Sequence, residues 1–100
     1  MTTKADTYRQ ALREGFSLEY IAQQHGVTAA TVKKHAAYAV ADRTLLIGTE
    51  VHIDGERGRW EFIGGIGYNK AGEQYAEFRH TRTGRTRTFH TTRITRVHHR

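Results

Sequence analysis

The chain has 100 residues, no cysteine and no proline, and a formal net charge of +6 from 16 basic and 10 acidic side chains. That length allows one ordinary domain or two very small ones and leaves little room for a large enzyme cleft, while the lack of cysteine excludes disulfides and thiolate metal sites. The seven arginines between Arg79 and Arg100, with no acid among them, suit a polyanionic partner.

Residues 7–41 show helical spacing. A first helix is expected to start near Asp6 or Thr7, to bury Tyr8, Ala11 and Leu12, and to stop at Gly15 with Phe16 tucked under it. Ser17 is a suitable N-cap for a second helix with Leu18, Ile21 and Ala22 facing inward, and Gly26 ends it. Thr28 caps a third helix whose inward positions are Val32, Ala36 and Val40, with Asp42-Arg43 closing the helical part.

Residues 48–98 instead read as five short strands, TEVHID, RWEFIGGIGY, EQYAEFRH, RTRTFHT and ITRVH. Turn-forming stretches at Gly55 to Gly58, Asn69 to Gly72 and Thr81 to Gly84 divide them. Val51, Ile53, Trp60, Phe62, Phe78, Phe89, Ile94 and Val97 are the expected core. The glycines of IGGIGY point to a strand bend rather than to a nucleotide loop.

The expected fold class is therefore α+β: a three-helix helix-turn-helix unit over residues 1–43, then a five-stranded antiparallel small barrel over residues 44–100. Ala22, Gly26, Val27 and Val32 have the spacing that locks two helices across a tight turn. In that geometry Thr28, Ala29, Ala30, Lys33, Lys34 and Ala37 point outward at the start of the third helix, toward a DNA major groove. Small alanines let a helix approach base edges, and lysine donates to guanine or phosphate.

The stretch LREGFSLEYIAQQHGVTAATVKKH resembles the DNA-binding helices of LuxR-type regulators and, more loosely, sigma-factor region 4 and resolvase helix-turn-helices. The resemblance implies base-facing positions at Lys33, Lys34 and Ala37, and positions near backbone phosphates at Ser17, Thr28 and Thr31. His25 stands where that family prefers leucine, and strands replace its fourth, dimerising helix. Residues 48–98 resemble SH3-like small barrels, including KOW-type modules and small barrels of actinobacteriophage proteins.

Within the second half, Arg82, Arg85 and Arg87 are the expected phosphate-contacting line, with Arg79, Arg93 and Arg96 as extensions. No nucleophile-base pair, phosphate loop or metal-ligand spacing accompanies them, so neither an enzyme nor a cofactor or metal is expected; His98-His99 reads as a polar end. The polar start and the absence of a long apolar run place the protein in the cytoplasm. The expected function is sequence-specific binding of double-stranded DNA by a transcription regulator or phage-encoded factor. An RNA- or ribosome-associated barrel protein and a phage adaptor that binds a host protein are the alternatives.

Overall fold

The computed structural model of the chain describes residues 3–98 and divides into two compact units, one ending at Ala37 and the other beginning at Tyr38. His99 and Arg100, counted above in the basic end, lie outside the described residues.

The first unit holds three helices. Helix α1 spans Lys4–Arg13 and starts earlier than the expected Asp6 or Thr7, because Thr3 and Asp6 cap it reciprocally: Thr3 Oγ1 accepts from the Asp6 amide at 3.1 Å, and the Asp6 carboxylate accepts from the Thr3 amide at 3.5 Å. Tyr8 is buried, and Ala11 and Leu12 are half-buried beside it. Phe16 does not tuck under this helix. It is 43% exposed and stacks on Tyr20, itself 46% exposed, with ring centroids 4.9 Å apart.

Helix α2, Leu18–His25, begins on Ser17, whose hydroxyl accepts from the Tyr20 amide at 3.1 Å. It buries Ile21 and Ala22 and closes on Gly26 at φ 65°, a left-handed conformation that a residue with a Cβ adopts at a cost. Helix α3, Ala29–Ala36, begins on Thr28 and buries Val32 and Ala36, one helical turn apart. It ends sooner than expected. Ala37 is already extended at ψ 143°, and Val40 is buried from a strand of the second unit rather than from this helix.

The second unit opens with a hairpin of β1, Tyr38–Val40, and β2, Arg43–Leu45, paired Val40 to Arg43 around the two residues Ala41 and Asp42. Ala41 takes a left-handed φ of 55°. Gln74 secures the hairpin with one side chain. Its Oε1 accepts from the Ala41 amide at 2.8 Å and from the Thr91 hydroxyl at 3.0 Å, and its Nε2 donates to the Ala39 carbonyl at 3.0 Å and to the Tyr68 hydroxyl at 3.1 Å.

The five strands expected from the turn residues all form: β3 Glu50–Ile53, β4 Trp60–Tyr68, β5 Gln74–His80, β6 Thr86–His90 and β7 Ile94–His98. They make an antiparallel sheet in the order β6-β5-β4-β3-β7, with a 3-10 turn at Thr91–Arg93 feeding the last strand back onto β3. Alternation places Val51, Ile53, Trp60, Phe62, Phe78, Phe89 and Ile94 inside, as expected, with Val97 half-buried; Val40, Leu45, Ile47 and Ala76 complete the core. Register shifts between Phe62 and Gly67 interrupt the β4–β5 ladder at the glycines of IGGIGY. At Gly67 the Tyr75 ring lies so close that an added Cβ would stand 2.7 Å from it, so the glycine makes room for the aromatic across the ladder.

The outer face of this sheet carries charges in pairs. Glu50 and Glu61 stand directly opposite each other, an unfavourable cross-strand pair that Arg59, 3.3 Å from Glu50, and Arg79, 3.0 Å from Glu61, offset. On the same sheet the rings of His52 and His98 share a hydrogen bond, Nδ1 to Nε2, of 2.9 Å. Partial burial, and then the charges of Arg59, His52 and Arg96, hold the His98 pKa below the ordinary histidine value, with Glu50 acting the other way. The unfolded chain therefore takes up this proton at a higher pH than the folded chain. Stability contributed here is full above pH ~6.5, falls as pH drops below it, and levels off once folded His98 is protonated. Urea midpoints taken from neutral to acid pH should fall less for His98→Gln than for the parent; an equal fall would contradict the assignment.

Candidate nucleic-acid interface

The exposed side of α3 is short and basic. Ala30, Lys33 and Lys34 are exposed at positions i, i+3 and i+4, so they share one helix face opposite buried Val32 and Ala36. The helix contains no acid, and neither lysine enters an ion pair among the described residues. Ala29 and Thr31 are half-buried on its flank. Ala37 lies one residue past the helix, half-buried at its C-cap, and so is not on the helix as the spacing implied.

The hydroxyls expected near phosphates are engaged in the caps. Thr28 Oγ1 accepts from the Thr31 amide at 3.2 Å and shares a 2.9 Å hydrogen bond with Thr31 Oγ1, while Ser17 caps α2. Their first task is to satisfy the free amides of the helix starts.

Arg9 on α1 is a residue that the spacing did not single out. Its Nε donates to the Ala36 carbonyl at 3.0 Å and its Nη2 to the Ala37 carbonyl at 2.9 Å. A guanidinium is a suitable partner for the unpaired carbonyls and partial negative charge of a helix C-terminus. Here it also ties α1 to the end of α3. Arg9→Ala should lower stability by about 1.5–3 kcal/mol, the usual worth of hydrogen bonds to a charged group; a denaturation midpoint equal to that of the parent would show the link to be idle.

The two histidines of this unit stand beside buried Tyr8. His25 meets its ring edge-on at 5.1 Å between centroids, and His35 lies at 6.4 Å. His35 therefore faces away from the Ala30–Lys33–Lys34 side.

In the second unit the expected arginine line separates into two kinds of residue. Arg87 pairs with Glu56 at 2.9 Å and lies over the Phe89 ring at 4.9 Å. Arg93 pairs with the same carboxylate at 3.6 Å and also lies over Phe89, at 5.0 Å. Both are held as a lid on the core. Arg79 is paired with Glu61, whereas Arg82, Arg85 and Arg96 are exposed and make no ion pair among the described residues. The reason is register: Arg87 and Phe89 are two residues apart and share the inward face of β6, where Glu56 waits.

Among the described residues no three His, Cys, Asp or Glu side chains gather as a metal site, and no helix is long and apolar enough to cross a membrane. No curated protein and no solved structure matches the chain. Residues 9–100 match the domain of unknown function DUF7246, and the chain belongs to that family.

Proposed function

We propose that this protein is a cytoplasmic, non-enzymatic reader of double-stranded DNA, acting as a transcription regulator or a phage-encoded DNA-associated factor. The observation that carries the reading is the α2–Gly26–α3 arrangement: two short capped helices across a left-handed glycine turn, with an exposed, acid-free α3 face of Ala30, Lys33 and Lys34. In a helix-turn-helix the second of such helices enters the major groove, where small side chains permit close approach and lysines reach bases or phosphates.

The second unit is read as an SH3-like small barrel that supplies further phosphate contacts. Its support is the strand order β6-β5-β4-β3-β7, with a 3-10 turn before a last strand that returns to the first strand of the sheet. If four to six phosphates are neutralised, the logarithm of duplex affinity should fall against the logarithm of salt concentration with a slope of about −4 to −5. Fluorescence anisotropy on a labelled duplex measures this. A flat response would remove the phosphate contacts, and tighter binding to structured RNA than to duplex DNA would transfer the function to RNA.

A further inference from the structure

Besides Arg96 on β7, three arginines of the second unit stand apart from the ion pairs, and all three lie in loops. Arg57, Arg82 and Arg85 are exposed and enter no ion pair among the described residues, unlike Arg59, Arg79, Arg87 and Arg93. Arg57 lies in the loop between β3 and β4, and Arg82 and Arg85 lie in the turn between β5 and β6. These loops occupy one end of the sheet, because Trp60 at the start of β4 pairs with His80 at the end of β5.

Several hydrogen bonds tie the two loops together. His80 Nδ1 accepts from the amides of both Arg82 and Thr83 at 3.2 Å, which leaves the ring proton on Nε2, and Nε2 then donates to the Arg57 carbonyl at 3.1 Å. The Thr81 amide and hydroxyl each reach the Arg59 carbonyl at 3.1 Å. The turn itself closes through the His80 amide on the Arg85 carbonyl at 2.8 Å and the Gly84 amide on the His80 carbonyl at 2.9 Å. Gly58 is part of this frame: with φ at +75°, an added Cβ would stand 2.9 Å from His80 Nε2.

The charge of this end is one-sided. Residues 80–85 contain no acid. In the facing loop Glu56 is taken up by Arg87 and Arg93, which leaves the exposed Asp54 as its remaining carboxylate. Three guanidinium groups on two mutually braced loops suit a row of phosphates better than a single small anion, since each fork can take a different phosphate.

We propose that this loop end of the sheet is a contact site for the phosphate backbone of duplex DNA, with Arg57, Arg82 and Arg85 as the contacting groups and with Arg87 excluded. It rests on the duplex-DNA reading above and adds to it a location and a residue, Arg57, that lies outside the arginine-rich end of the chain. The site reads no sequence. Its contribution is affinity and salt dependence.

The test uses the full chain and a short labelled duplex, with anisotropy titrations across a salt series. The triple variant Arg57→Gln/Arg82→Gln/Arg85→Gln should reduce the magnitude of the salt slope by about 2–3, the triple lysine variant should keep it, and Arg87→Gln should leave it unchanged. Melting curves matching the parent would show that the exposed substitutions leave the fold intact. An unchanged slope in the glutamine triple overturns the site while leaving reading by α3 in place. A reduced slope together with no sequence preference in the parent supports the site and overturns sequence-specific reading. Failure of the parent to bind duplex overturns both.

Discussion

Replacing Lys33 and Lys34 together with alanine should lower affinity for a preferred duplex by about thirtyfold or more, since two contacts worth roughly 1–3 kcal/mol each where they reach a base sum to at least about 2 kcal/mol. The effect should appear without a loss of stability. Both lysines are exposed and unpaired among the described residues, and alanine has the highest helix propensity of any residue. The loss should also be selective. If these lysines touch bases, the variant retains nonspecific duplex binding but loses discrimination between sequences; if they touch only phosphates, affinity falls uniformly and the salt slope shrinks by about 1 for each. Anisotropy with preferred and scrambled duplexes separates the two outcomes, and full retention of affinity and preference would contradict a role for α3.

The largest effect on stability is expected at Phe62. Its side chain is fully buried, meets Tyr38 edge-on at 5.6 Å between ring centroids and lies 5.9 Å from Phe78. Phe62→Ala should cost about 3–5 kcal/mol, a large share of the roughly 5–15 kcal/mol that holds a small domain folded. Trp60 offers an internal contrast. Its ring is buried against Phe89 and His80, both at 4.9 Å, yet its indole Nε1 is buried without a hydrogen-bond partner among the described residues. Trp60→Phe discards that unsatisfied donor and removes less buried volume than Phe62→Ala, so it should cost clearly less than Phe62→Ala. Urea unfolding of both variants tests the pair. Equal destabilisation would contradict the expected relief of an unsatisfied donor at Trp60.

The strands were legible in the sequence because turn residues and alternation carry the same message there. Asn69 to Gly72 and Thr81 to Gly84 are turns by residue type alone, and the inward positions keep a period of two in β3, β4 and β5. The caps at Ser17, Gly26 and Thr28 were equally local, and all three stand where expected.

The misses have tertiary causes. Val32, Ala36 and Val40 share a four-residue step, but no glycine or proline marks the end of α3. Arg9, 27 residues from Ala36, takes up its last carbonyls, and Gln74 holds the next segment as a hairpin strand. Spacing along one segment contains neither partner. The capping box at Thr3 was readable, since Thr-x-x-Asp is a variant of a known start signal, but the apolar pattern that begins at Tyr8 drew the boundary inward. Hydrophobicity alone predicts an inward Phe16, whereas its ring stacks on Tyr20 at the surface, a pairing that no spacing encodes.

The candidate interface was legible in part for the same reason. Lys33 and Lys34 follow from helix phase, whereas the fate of each arginine depends on which carboxylate the fold brings near it. Glu56 lies 31 residues from Arg87 in sequence and 2.9 Å from it in space. Composition showed a basic end to the chain. Only the pairing showed which of its charges stay available.

The most direct test is selection of bound duplexes from a randomised DNA pool by the full chain at moderate salt, with the Lys33→Ala/Lys34→Ala variant run in parallel. Sequence reading by α3 predicts a recurrent motif with the parent and its disappearance with the variant. A motif that the variant retains, or a parent that retains DNA without any motif, would contradict it.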